Sequence, residues 1–199
     1  MSAPEPGYHA PRVLPPGQRL ATRLKVLHYG PVPRFRPETW KLVVSGATAS
    51  GEEHCFDLAS FAELPTTAVR GDLHCVARWS VPERRWEGVA ARTVLDLCPP
   101  ADDVTHVLAW AEYGYSTTLR LEDLFSPRAV LATHLDGSVL TPEHGYPLRL
   151  VVPHLYAWKG PKWLRGLEYL TRPVRGFWES RGYHAVGDPW REERYSYQE

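Results

Sequence analysis

Asp72-Leu73-His74-Cys75-Val76-Ala77-Arg78-Trp79-Ser80, followed soon by Trp86-Glu87-Gly88-Val89, is the stretch whose reading decides this chain. Residues 73–80 read as a strand or strand end that carries a thiol among apolar neighbours. A thiol so placed is either a small core hydrophobe or a soft ligand for a metal. A zinc reading would join His54 and Cys55 to His74 and Cys75, but the chain has no Cys-x-x-Cys pair of the kind structural zinc sites use. A thiol-hydrolase reading needs a histidine partner; the nine histidines offer candidates, yet no local signature marks one.

Outward from Cys75, strand signals outnumber helix signals. Residues 40–46 predict a strand ending in a turn, 104–111 a buried strand, and 116–121 a half-exposed one. Residues 130–135 and 148–153 predict two more, with Asp136-Gly137 as a turn after the first. Short helices are expected over 57–64, before Pro65, over 92–98, before Pro99-Pro100, and from 121 to 125. Residues 162–170 show no clean period. No βαβ rhythm appears, so the expected class is α+β with a mixed or antiparallel sheet. The proline-rich residues 1–20 predict an extended N-terminal segment, leaving 21–199 as one domain.

Composition excludes several functions. Lys+Arg and Asp+Glu are equal at 23 each, which argues against a general nucleic-acid binder. No apolar run approaches the roughly 18 residues of a membrane span. Three cysteines are too few, and odd in number, for a disulfide framework. With no charged n-region, apolar h-region or twin arginine at the N-terminus, a reducing, cytoplasmic setting is the simplest expectation. Nineteen prolines disfavour a helical bundle, and eight tryptophans suggest aromatic-lined loops around a pocket.

Three further stretches could carry chemistry. In His144-Gly145-Tyr146-Pro147-Leu148-Arg149 an arginine enters an apolar strand. It needs an anionic partner, either an internal glutamate or a bound phosphate or carboxylate. In Lys159-Gly160-Pro161-Lys162-Trp163 two lysines flank a Gly-Pro turn, which is either a phosphate-holding loop or a solvated surface turn. Glu112-Tyr113-Gly114-Tyr115-Ser116 is a polar aromatic loop suited to a pocket rim.

Taken in order with Leu27-His28-Tyr29-Gly30-Pro31-Val32-Pro33, Trp40 and the closing Gly176-Phe177-Trp178-Glu179, these pieces resemble the sulfite-oxidase-type molybdopterin-binding domain. Cys-Val-x-x-Trp-Ser is most similar to the branch holding the catalytic subunit of bacterial protein-methionine-sulfoxide reductase and stand-alone sulfite-oxidase-like oxidoreductases. The resemblance spans nearly all of residues 12–195 and implies that family's mixed-sheet α+β fold. It implies a molybdenum–molybdopterin cofactor, with Cys75 as the catalytic residue and the protein's thiolate ligand to the metal. It implies pterin contacts from Lys25, His28 and Tyr29. It places His144 and Arg149 on the pterin and its phosphate, with Gly160, Pro161 and Lys162 completing the phosphate cradle.

The sequence also departs from the sulfite oxidases. They carry arginine where this chain has Leu27, and arginines after the cysteine where it has Trp79 and Ser80. Sulfite is a dianion and needs such cations. The reductase branch has a pterin-contacting threonine that would fall near Trp110 or Ala111. The expectation is therefore a two-electron oxygen-atom transfer on a small S-oxide or N-oxide. Sulfite-type oxidation, or a non-catalytic binding protein of the same fold, are the alternatives. No haem, flavin or iron–sulfur motif is visible, so a separate electron-transfer partner of haem, flavin or ferredoxin type is expected.

Overall fold

Short apolar alternations punctuated by proline give this chain many brief strands and few helices. The computed structural model describes residues 13–199. The first twelve residues, which hold part of the segment expected to be extended over 1–20, lie outside the described residues. In chain order the elements are β1 (Arg19–Leu20), β2 (Lys41–Gly46), β3 (His54–Asp57), α1 (Leu58–Ala62), β4 (Thr66–Cys75), β5 (Trp79–Ala90) and α2 (Ala91–Leu97). They continue as β6 (His106–Ala111), β7 (Ser116–Arg120), α3 (Leu121–Phe125), β8 (Val130–Leu135), β9 (Ser138–Val139), β10 (Arg149–Val151) and β11 (Leu164–Leu170). Among the described residues no helix is long and apolar enough to cross a membrane.

The strands form two mixed sheets. One runs β1-β5-β8-β10, with β4 added on β5 and β9 on β8. The other runs β3-β2-β11-β6-β7. Each sheet contains one parallel pair, β1 with β5 and β11 with β2, among antiparallel neighbours. The principal core draws Val89, Leu131 and Leu150 from the first sheet and Leu42, Val44, Val107 and Leu167 from the second. Val94 and Leu95 of α2 and Leu124 of α3 complete it. Each fully buried leucine of this kind contributes on the order of 2 kcal/mol.

A second apolar cluster holds Val69, Trp86, Val130, Ala132 and Val151. Strand alternation explains the division. Leu131 and Leu150 point into the principal core, and their neighbours Val130, Ala132 and Val151 point the other way. Arg149 shares the face of Val151, and its guanidinium carbon lies 5.0 Å from the centre of the Trp86 ring.

Two stretches differ from their sequence reading. Residues 73–80 are two strands, not one: β4 ends at Cys75, Val76-Ala77-Arg78 reverse the chain, and β5 begins at Trp79, paired with Cys75. Arg78 adopts a φ of 67°, a left-handed turn without glycine, so composition leaves it unmarked. Residues 162–170, without a readable period, hold β11, the central strand of the second sheet. Its alternation is interrupted at Gly166, where a Cβ would come within 2.3 Å of the Trp110 ring. Arg19–Leu20, read within the N-terminal segment, pair in parallel with Trp79 and Ser80.

Candidate functional site

The reversal after β4 leaves Cys75 at the end of a ladder, with its backbone tied down and its side chain turned to a cavity. Its carbonyl accepts from Arg78 N at 3.1 Å and from Gln18 Nε2 at 3.0 Å. The thiol lines a cavity of about 330 Å³. Burial raises its pKa; the Ala77 N–H and the charges of Lys25 and Arg194 lower it by less.

All nine residues that the family resemblance implies as site residues line this one cavity. Lys25, His28 and Tyr29 come from the irregular segment between β1 and β2. Lys25 Nζ sits 5.5 Å from the centre of the Trp79 ring. His28 holds its Nδ1 2.9 Å from Gly30 O and meets Trp163 edge-on at 5.2 Å. Tyr29 is 45% exposed and packs 4.3 Å from Phe177.

His144, Arg149 and Lys162 form a cationic cluster on the same cavity. Arg149 is 4% exposed, donates from Nη1 to His144 O at 3.1 Å, and leaves Nε without an acceptor. The internal-glutamate alternative fails: no carboxylate pairs with Arg149 among the described residues. Burial lowers its pKa to about 10. Lys162 donates to Glu143 O at 2.6 Å, and burial together with the Arg149 charge lowers its pKa to about 7. His144 places Nδ1 2.9 Å from Thr141 Oγ1, while its buried Nε2 has no partner. Burial, then Lys162 and Arg149, depress its pKa. Gly145 follows with φ 113°, a left-handed step, and packs against the Cβ atoms of Arg149 and Lys162. Pro161 O accepts from Leu150 N at 3.0 Å and fixes the Gly160–Lys162 turn beside β10.

Among the described residues no aspartate or glutamate lines the cavity. Three cationic or protonatable side chains close together, two of them with orphaned nitrogens and with only Glu143, outside the lining, as a nearby acid, suit a bound phosphate. The remaining walls are aromatic and apolar, with Leu24, Leu27, Leu73 and Trp79 near the Cys75 turn, and Trp158, Trp178 and Tyr183 elsewhere. Trp158 leaves its indole N–H unpaired, another donor free for a ligand. The residues present therefore fit a molybdopterin: a soft thiol for the metal, donors for the ring and a cationic cluster for the phosphate.

Several expectations need correction. Lys159, read with Lys162 as a pair flanking a phosphate loop, points away. It is 1% exposed, pairs with Glu179 at 2.9 Å and also donates to Ala185 O at 2.6 Å. The zinc reading finds no support: Cys55 is exposed on β3, and no group of three or more His, Cys, Asp or Glu among the described residues could hold a metal. Trp110 and Ala111 do not line the cavity. Tyr115, read as part of a rim loop, is half-buried, lines the cavity as that reading expects, and donates to Trp158 O at 2.5 Å. Trp178 and Tyr183 were missed. Trp178 stands in the closing motif of the resemblance, but no local pattern assigns either residue to the cavity, since packing, not sequence proximity, brings them here.

Comparison with known proteins agrees with this geometry. A family model described as oxidoreductase molybdopterin binding domain matches residues 29–178. An uncharacterized oxidoreductase of Bacillus subtilis (strain 168) is 39% identical over 188 residues, covering 92% of each chain. The protein-methionine-sulfoxide reductase catalytic subunit of Gluconobacter oxydans (strain 621H) is 27% identical over 78% of this chain, which spans 56% of that protein's length. The sulfane dehydrogenase SoxCD of Paracoccus pantotrophus superposes with a TM-score of 0.65 at 19% identity, over 72% of this chain and 41% of that one.

Proposed function

The chain belongs to the oxidoreductase molybdopterin-binding domain family, and from that membership we propose that it reduces small S-oxides or N-oxides by two-electron oxygen-atom transfer. It is an oxidoreductase of the sulfite-oxidase family, and its cofactor is molybdenum–molybdopterin. The reading rests on one observation: one cavity, lined by no carboxylate among the described residues, holds both the Cys75 thiol and Arg149, whose Nε has no acceptor.

Bound here, the cofactor supplies two-electron oxygen-atom transfer; the protein supplies binding, orientation and electrostatics. Cys75 gives its thiolate to the metal. Burial alone favours the protonated thiol, and a bound metal would favour the thiolate instead. Arg149, Lys162 and His144 hold the phosphate, and Gly160 and Pro161 let the backbone approach it. Lys25, His28 and Tyr29 contact the pterin from the loop after β1.

The walls indicate the substrate. Leu27, Leu73, Val76, Ala77 and Trp79 are apolar, and of the loop before β2 only Lys25 and His28 bring a titratable nitrogen to the cavity besides the Tyr29 hydroxyl. A dianion such as sulfite would lose its hydration with little charge in return, whereas a neutral sulfoxide or amine oxide loses less. The net change is R₂SO + 2e⁻ + 2H⁺ → R₂S + H₂O. The electrons arrive one at a time from a separate haem, flavin or ferredoxin-type protein. We place the reaction in the cytoplasm, a reading supported by three unpaired thiols.

The test is a direct competition of substrates on cofactor-loaded protein. Methionine sulfoxide and trimethylamine N-oxide are offered with a reduced dye as donor, and sulfite with ferricyanide as acceptor. Higher kcat/KM for a neutral oxide supports the proposal. Turnover of sulfite with none of either oxide overturns it.

A further inference from the structure

A second cavity, of about 200 Å³, shares Trp163 with the cofactor cavity as a lining residue. Three guanidiniums, those of Arg34, Arg36 and Arg165, line it with a single carboxylate, Glu112. Arg165 largely answers that carboxylate: its Nε lies 3.6 Å from Glu112 Oε1 while its Nη2 donates to Thr39 O at 3.2 Å. The side chains of Arg34 and Arg36 make no ion pair or hydrogen bond among the described residues. Trp40, another lining residue, is 3% exposed, and its indole N–H has no acceptor. A buried donor without an acceptor is costly and asks for a ligand atom.

Phe35 and Tyr146 meet edge-on at 4.9 Å and add an apolar side to the cavity. Trp163 contributes only its ring, because its N–H is already given to Pro142 O at 2.7 Å. Two surplus positive charges around an orphaned neutral donor match an oxyanion. The volume is below the roughly 300–1,000 Å³ of sites for larger organic ligands, so the oxyanion is small. We propose that this cavity is a second anion site, distinct from the cofactor cavity, that binds a small phosphate or carboxylate. The occupant presses on Trp163, against which His28 packs at 5.2 Å, and so touches the wall of the cofactor cavity.

The test titrates cofactor-loaded protein with inorganic phosphate and, separately, malonate, by calorimetry and tryptophan fluorescence. Low ionic strength is required, because Arg34 and Arg36 are exposed and their charges are screened by salt. One-site saturation by either anion is expected. Binding should weaken about tenfold in the Arg34→Ala/Arg36→Ala double variant and several-fold in Trp40→Phe, which keeps the ring but lacks the donor. Saturation by phosphate alone assigns a phosphate-bearing ligand; saturation by malonate alone assigns a carboxylate. Absence of saturation by both, or an affinity unchanged in the double variant, overturns the proposal. Molybdenum and pterin content should be the same in all these proteins, so failure of cofactor loading and failure of this site are read separately.

Discussion

Replacing Arg149 with methionine should leave the cofactor-free protein almost as stable as before, yet greatly weaken its hold on the cofactor. Burial lowers the guanidinium pKa from the ordinary arginine value to about 10. At about 1.4 kcal/mol per pH unit, that drop corresponds to about 3.5 kcal/mol of destabilisation. The side chain is 4% exposed, so solvent screening removes little of it. The sign follows from linkage: a base whose folded pKa is lowered destabilises the fold below that pKa, with relief only as pH rises above about 10. Arginine keeps its proton at any working pH, so an anion must provide the relief instead.

Two contacts offset the cost. The cation–π contact with Trp86 is worth about 1 kcal/mol, and the charged hydrogen bond to His144 O about 1.5 kcal/mol. The balance is about 1 kcal/mol, so Arg149→Met should change urea-unfolding stability of cofactor-free protein by no more than about 1 kcal/mol. In loaded protein the same change removes charge-assisted bonds to phosphate. Two such bonds at about 1.5 kcal/mol each amount to about 3 kcal/mol, or roughly 100-fold weaker retention. The assay pairs urea unfolding with pterin content after gel filtration. A loss of 3 kcal/mol or so without cofactor would show a structural ion-pair role. Unchanged pterin content would refute the phosphate assignment.

Other perturbations separate the neighbouring lysines and the redox direction. Lys159→Met strands the buried Glu179 carboxylate, 1% exposed, and should cost about 3–5 kcal/mol in urea unfolding; a loss under about 1 kcal/mol would contradict its assignment as a structural pair. Lys162, held at about 7, is neutral in the folded cofactor-free protein above that pH but still charged when unfolded. The unfolded state then binds more protons, so stability should rise with pH between about 7 and 9. Lys162→Met should flatten that rise, and an unaltered slope would deny the shift. Leu27→Arg, which puts a cation beside the cavity, should raise sulfite kcat/KM relative to the neutral oxides; no change in the ratio would remove Leu27 from substrate selection.

Parts of the fold could be read from the chain because local chemistry marks them. Residues 121–125 and 130–135 were expected where α3 and β8 lie, and α2 stops, as its sequence indicates, before Pro99-Pro100. The turn at Val76-Ala77-Arg78 lacks glycine, proline and asparagine, so nothing local announced that Cys75 ends a strand. β11 was hidden because Gly166 yields its place to the Trp110 ring, a contact between strands distant in sequence. The site was legible only through the order of its motifs. Cys75 alone reads as a packing residue, and Arg149 alone as half of a salt bridge. Lys159 and Lys162 look equivalent in a Gly-Pro turn, yet a 3₁₀ turn over Ala157–Lys159 aims one at Glu179 and leaves the other at the cavity. That division depends on where the 176–199 stretch packs, which no local pattern encodes.

Molybdenum and pterin content, measured with oxygen-transfer turnover on wild type and Cys75→Ser, tests the central claim most directly. Both proteins are made in a host that synthesises molybdopterin. Wild type should carry molybdenum and pterin in equal amounts and turn over. Cys75→Ser should retain pterin, through Arg149, Lys162 and His144, but lose turnover. Wild type free of molybdenum, or Cys75→Ser with full turnover, would contradict the account.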